Sequence, residues 1–86
     1  MEDRVALIGI ILESEDSIDK VNSLLSEYRK HIIGRMGIPY DKKELNIISV
    51  VLDAPQDAIS ALSGKLGALK GVSTKTIYRT IERRDY

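Results

Sequence analysis

Apolar and polar positions alternate along the chain in two rhythms, one of strands and one of helices. Val5 to Leu12 (VALIGIIL) is an uninterrupted, β-branched apolar run, which predicts a strand covered on both faces. Glu13-Ser14-Glu15-Asp16-Ser17 breaks it with cap-forming residues and sets acids where the positive end of a helix dipole favours them. Ile18, Val21, Leu25 and Tyr28 then form one stripe at helical spacing. His31 to Pro39 returns as a second strand. Gly34 and Gly37 within it predict a bulge or a close backbone approach, and Pro39 suits an edge strand or a strand end.

Tyr40 to Glu44 is a polar connection of hairpin length, so the strands flanking it are expected to be antiparallel neighbours. Leu45 to Leu52 (LNIISVVL) reads as a second strand apolar on both faces. Asp53-Ala54-Pro55-Gln56 reads as a helix start, with Asp53 as N-cap, Pro55 in the first turn and Gln56 closing a capping box. Ile59, Leu62, Leu66 and Leu69 repeat the helical stripe, and Gly71 is expected to stop that helix. Val72 to Glu82 alternates as a final, half-exposed strand.

The two halves match at a period of about 40 residues: Val5 with Leu45, Ile18 with Ile59, Ile32 with Val72. A β-α-β unit used twice, with right-handed crossovers, predicts an α+β fold of one domain over residues 1–86. It is a ferredoxin-like βαββαβ sandwich, a four-stranded antiparallel sheet with two helices on one face. The first and third strands would be central. Two helices cover only one face, yet the other face of those strands is apolar whichever parity points outward: Val5, Leu7 and Ile11, or Ala6, Ile8, Ile10 and Leu12. A second subunit or sheet is therefore expected to cover it.

Composition sharpens this picture by exclusion. Eighty-six residues build a thin core, which favours oligomerisation. Thirteen Lys and Arg balance thirteen Asp and Glu, so charge supplies no reason to expect nucleic acid or an anionic membrane as main partner. Without cysteine there is no disulfide frame, thiol nucleophile or thiolate metal site. The acidic start Met1-Glu2-Asp3-Arg4 is unlike a signal peptide, and apolar runs fall far short of a membrane span, so a cytoplasmic protein is expected.

Candidate chemistry is sparse. Gly34-Arg35-Met36-Gly37 flanks a cation with glycines, so backbone amides and the guanidinium of Arg35 could converge on an anionic or carbonyl-bearing ligand; two small residues under a crossing element is the structural alternative. Ser63-Gly64-Lys65-Leu66-Gly67 lies inside a helical stripe and does not read as a phosphate loop. With Ser60, its small residues leave one flank of the second helix open to close packing or to a recess. A lone histidine, His31, builds no transition-metal site within one chain. Lys75, Arg79, Arg83 and Arg84 interleave with Glu82 and Asp85 as a solvated face. RNA-recognition modules on this fold stack bases on aromatics of the central strands, which here carry none. Acylphosphatase-type chemistry would want its arginine loop elsewhere, and a cap and a first-turn acid account for Asp53 and Asp57. No catalytic residues and no cofactor are expected.

The strings HIIGRMGIPY and NIISVVLDAPQDAISALSGKLGALKGVSTKT give the chain, from Val5 to Tyr78, a resemblance to the small family of iron-only hydrogenase system regulators. That resemblance implies an ACT-like fold, similar to the C-terminal regulatory domain of nickel-responsive repressors, which assemble through their sheets. It implies a regulatory module, sensing a small effector or contacting a protein target, linked to hydrogenase expression or maturation. Such a module would be a homodimer or tetramer joined through the sheet. The repressors bind nickel through histidines and a cysteine, so nickel sensing does not carry over to a chain with only His31. Their DNA-binding segment precedes the regulatory domain, whereas the first strand here begins near Arg4, so direct nucleic-acid binding is not expected. The expected ligand contacts are Gly34, Arg35 and Gly37, with Asp53 as cap and polar contact. The competing class is a small dimeric ferredoxin-like enzyme of monooxygenase or isomerase type, which would need a roomy, polar-lined pocket between sheet and helices.

Overall fold

The computed structural model describes residues 3–80. The order is β1 (Asp3–Leu12), α1 (Ile18–Glu27), β2 (Ile32–Tyr40), β3 (Leu45–Pro55), α2 (Gln56–Gly67) and β4 (Val72–Tyr78). The strands form one antiparallel sheet in the order β2-β3-β1-β4, with β1 and β3 central as their apolar runs predict. This is the ferredoxin-like α+β sandwich. Ile81 and Glu82 of the predicted last strand, the tail cations Arg83 and Arg84, and the start Met1-Glu2 lie outside the described residues.

The register selects one of the two parities that the sequence left open. Ala6, Ile8, Ile10 and Leu12 of β1 lie inward beside Ile48, Val50, Leu52 and Ala54 of β3, and all eight are buried. Val21 and Leu25 of α1 and Ile59, Leu62 and Leu66 of α2 close the layer, each at most 1% exposed. Each such side chain contributes about 1.5–3 kcal/mol on burial. Leu69, predicted in the second helical stripe, lies past the end of α2 but still packs on this core.

The small flank of α2 serves close packing onto β4. Thr76 Oγ1 donates to Ser63 Oγ at 3.1 Å, the Ser60 and Tyr78 hydroxyls lie 3.4 Å apart, and a Cβ on Gly67 would sit 3.4 Å from Thr74 Oγ1. Lys65, far from any phosphate loop, joins α2 to α1: its ammonium donates to the Tyr28 hydroxyl at 3.0 Å and lies 3.4 Å from the Glu27 carboxylate. Those two partners, Tyr28 first, hold its pKa above the ordinary lysine value.

The expected start and stop of the second helix are corrected, and the expected bulge is found. Asp53 does not cap α2, because the ladder with β1 continues to Asp3↔Pro55 and keeps residues 53–55 extended. A cap bond contributes about 1 kcal/mol, less than the continued ladder offers. Pro55 flanks the helix instead, without a side-chain cap, and Gln56 accepts from Arg4 Nη1 at 3.0 Å rather than closing a capping box. In β2 the register shifts between Ile32 and Gly34, so the glycine-associated bulge is present and Ile33 is its extra residue. Finally, α2 ends at Gly67, four residues before Gly71.

Gly71 has another task. Its φ is +72°, and a Cβ there would stand 2.6 Å from Ser14 Cβ. At this crossing the Glu13 N–H donates to the Gly71 carbonyl at 2.7 Å, and the Ser17 hydroxyl, almost fully buried, donates to the Lys70 carbonyl at 2.7 Å. The loop entering α1 is thus tied to the loop leaving α2. Gly71→Ala, which meets both the left-handed backbone and the collision, is expected to lower unfolding stability by about 2 kcal/mol or more, read by urea denaturation.

Candidate functional site

The face of the sheet opposite the helices is the largest feature left unexplained by the fold. Pairing arranges its side chains in rows across β2, β3, β1 and β4: Ile38–Ile47–Ile11–Ser73, then Met36–Ser49–Gly9–Lys75, then Gly34–Val51–Leu7–Ile77. The outer two rows are apolar ridges. Leu7, Ile11, Met36, Ile38, Tyr40, Ile47 and Ile77 are each at least 36% exposed, and all lie on this one face. Among the described residues only Ile33, in the bulge, is a large exposed apolar residue beyond this group.

Between the ridges the small residues Gly9 and Ser49 face each other across β1 and β3 and leave a trough of about 340 Å³, walled by Ile11 and Ile47 and ending at Lys75. Nothing among the described residues requires glycine at position 9. A Cβ there would make only an ordinary contact, 3.9 Å from the Lys75 carbonyl. A strand-interior glycine costs roughly 0.5–1 kcal/mol, and no packing contact among the described residues offsets that cost.

The four expected ligand contacts do not converge. Gly34 pairs with Val51 and Asp53 with Val5, which puts both on the open face. Arg35 and Gly37 pair with Val50 and Ile48, on the helix side of the sheet. Arg35 Nη2 donates to Asn22 Oδ1 of α1 at 3.1 Å, and a Cβ on either glycine would meet nothing within 4 Å. Sequence reasoning named the outward sets of β1 but missed Met36, Ile38 and Tyr40 of β2. Their alternation is visible in the sequence, but the bulge at Ile33 reverses which face it serves.

Other surfaces are less built. A cleft of about 470 Å³ at one end of the sheet is ringed by Glu13, Glu15, Asp16, Asp41 and Glu44. Among the described residues no group of His, Cys, Asp and Glu is arranged to hold a metal, and His31 sits half-buried just before β2. A groove of about 530 Å³ runs between the helices past Leu24 and Leu69. The space between sheet and helices, where an enzyme of this fold would need a polar pocket, is filled by Ile8, Ile10, Val50, Leu52, Ile59, Leu62 and Leu66, all 0% exposed.

Residues 4–76 match the TM1266-like family, described as "Iron-only hydrogenase system regulator, putative". Among solved structures, the uncharacterized protein TM1266 from Thermotoga maritima superposes with a TM-score of 0.89 at 36% identity, covering 92% of this chain and 100% of its own. A formyltetrahydrofolate deformylase from Pseudomonas putida KT2440 superposes with a TM-score of 0.61 at 14% identity, over 85% of this chain and 28% of its own, a likeness of fold alone. No curated protein matches.

The buried centre and the exposed edge of the sheet should respond differently to truncation. Leu52→Ala, on the helix side, is expected to cost about 2–5 kcal/mol in urea unfolding. Arg35→Ala, which removes one exposed hydrogen bond, should cost less than about 1 kcal/mol.

Proposed function

We propose a function from one established premise: the chain belongs to the TM1266-like family of iron-only hydrogenase system regulators. It is a regulatory module that works as a homo-oligomer, a dimer or tetramer, with subunits joined through the open face of the sheet. Its assembly or its contacts respond to a small effector or a protein target, and the process it regulates is hydrogenase expression or maturation. The observation that carries this reading is the apolar open face, with ridges on all four strands and no covering element among the described residues. Soluble monomers rarely leave so continuous an apolar patch to water.

The filled core speaks for the sensor over the small-enzyme alternative. No helix among the described residues is long and apolar enough to cross a membrane, and we read the cysteine-free, charge-balanced chain as cytoplasmic. For an anionic effector, Arg35 is the contact we propose on the helix side of β2. Asn22 is its only hydrogen-bond partner among the described residues, which leaves guanidinium donors for a ligand. Gly34 and Asp53 would serve the open face instead, and Gly37 leaves room beside Arg35.

Light scattering at micromolar concentration is expected to give an integral multiple of the 9.6 kDa chain mass, at least two; a mass of 9.6 kDa overturns the assembly reading. A thermal-shift screen of metabolites should find an effector that, at 100 times its dissociation constant, stabilises the fold by about 2.7 kcal/mol. Arg35→Ala should abolish that shift while the unliganded chain melts within a few degrees of the parent, and an unchanged shift removes Arg35 from the site.

A further inference from the structure

The relief of the open face constrains how a second copy can sit on it, and this inference rests on the homo-oligomer reading above. Two copies packed face to face with their strands aligned are related by a two-fold axis lying between the sheets, running close to either the strand direction or its perpendicular. An axis along the strands lays each row on its own copy: ridge meets ridge, Ile47 over the partner's Ile11, and trough meets trough. That leaves an unfilled space of about twice 340 Å³ at the centre of the contact. Packed interfaces do not keep such voids. An axis across the strands through the middle row has the same void and opposes Lys75 to its own copy.

Moving a crosswise axis by half a row removes both faults, in one of two directions. Centred between the Met36–Ser49–Gly9–Lys75 row and the Gly34–Val51–Leu7–Ile77 row, it presses Lys75 on the partner's Ile77 and Asp53 on the partner's Ile47, two charges on apolar ridges. Centred at the level of Ile10 and Ile48, it does neither. Each small position then opposes a large one on the same strand of the other copy: Gly9 under Ile11, Ser49 under Ile47, Gly34 under Tyr40. Lys75 falls over the Ser73 hydroxyl, Val51 over Leu45, and Glu13, just past the end of β1, comes level with the partner's Leu7 at the rim, the one charge this register sets beside an apolar side chain against two in the other. Asp53 reaches the level of the Lys42–Lys43 turn, so an acid at one end of the face meets cations at the other, twice by symmetry.

We propose that a second copy of this chain covers the open face in this antiparallel register, with Ile11 and Ile47 of each subunit seated in the Gly9–Ser49 trough of the other. The arrangement gives a use to the glycine at position 9 and to the space over Gly34, neither of which the single chain needs. The four-stranded face measures roughly 20 by 30 Å, about 600 Å² in flat projection from strand spacing and rise, and side-chain relief brings it toward the ~800 Å² per partner of a specific interface.

Because the chain contains no cysteine, introduced thiols report the register without interference. Ile47→Cys and Ser49→Cys chains, co-expressed and oxidised, are expected to yield a covalent dimer. Either variant alone should not, since each residue then lies about 7 Å along the strand from its own copy, in addition to the gap between sheets. Gly9→Leu, whose Cβ would make only an ordinary 3.9 Å contact with the Lys75 carbonyl and whose side chain would occupy the trough, should raise the dimer dissociation constant at least 100-fold while circular dichroism shows an intact fold. Self-linking by Ser49→Cys alone, no link in the co-expressed pair from a chain that is dimeric by light scattering, or a Gly9→Leu dimer of unchanged affinity would each overturn the register and leave the assembly reading standing. A monomeric parent chain would overturn both.

Discussion

Two helices can cover one face of a four-stranded sheet, and this sheet is apolar on two. That mismatch governs the molecule. On the inward side Ala6, Ile8, Ile10 and Leu12 meet Ile48, Val50, Leu52 and Ala54 under both helices, and the layer is closed to water. On the outward side the same strands present Leu7, Ile11, Ile47 and Val51 with nothing above them among the described residues. The free energy that folds one subunit comes from the first set. The second adds little until something else excludes water from it, and the assembly proposed above would extend the same hydrophobic packing across a boundary between chains.

Strand and helix positions were legible because periodicity reports burial directly, and for that reason the central place of β1 and β3 was legible too. Parity was not. A strand apolar on both faces has no pattern to say which set the helices take, and only the register with its neighbours decides. Asp53 shows the other limit. Its spacing to Pro55 and Gln56 is that of a helix cap, but the cap competes with a ladder whose far end is Asp3, fifty residues away in the chain. The bulge residue was half legible: the glycines pointed to an irregularity, while its position at Ile33, which turns Met36, Ile38 and Tyr40 outward, depends on pairing with β3. Gly71 was correctly singled out for the wrong reason, since it is needed where two loops cross and not where a helix stops.

The candidate site was legible only as a surface. The glycine-flanked Arg35 and the acid at Asp53 look like one constellation in sequence, and the sheet puts them on opposite faces. Two neighbouring residues of a strand cannot reach the same side, so a motif read along such a strand divides into two sites. The family membership agrees with a regulatory role, and the likeness to TM1266 from Thermotoga maritima agrees with the fold. In the function proposed above, the chemistry behind that role would rest on what the outward rows of the sheet and the helix side of β2 each contact.

The bulge in β2 has a further effect on how the sheet meets other chains. β2 is an edge strand, exposed along almost its whole length, and an unbroken edge would offer its free amides and carbonyls to any extended peptide. Ile33 interrupts that row near one end, and Pro39, which has no N–H, interrupts it near the other. Lateral recruitment of strands, the route by which sheets propagate into fibrils, is therefore obstructed at both ends of β2. The two-fold stacking proposed above would instead close on itself and stop.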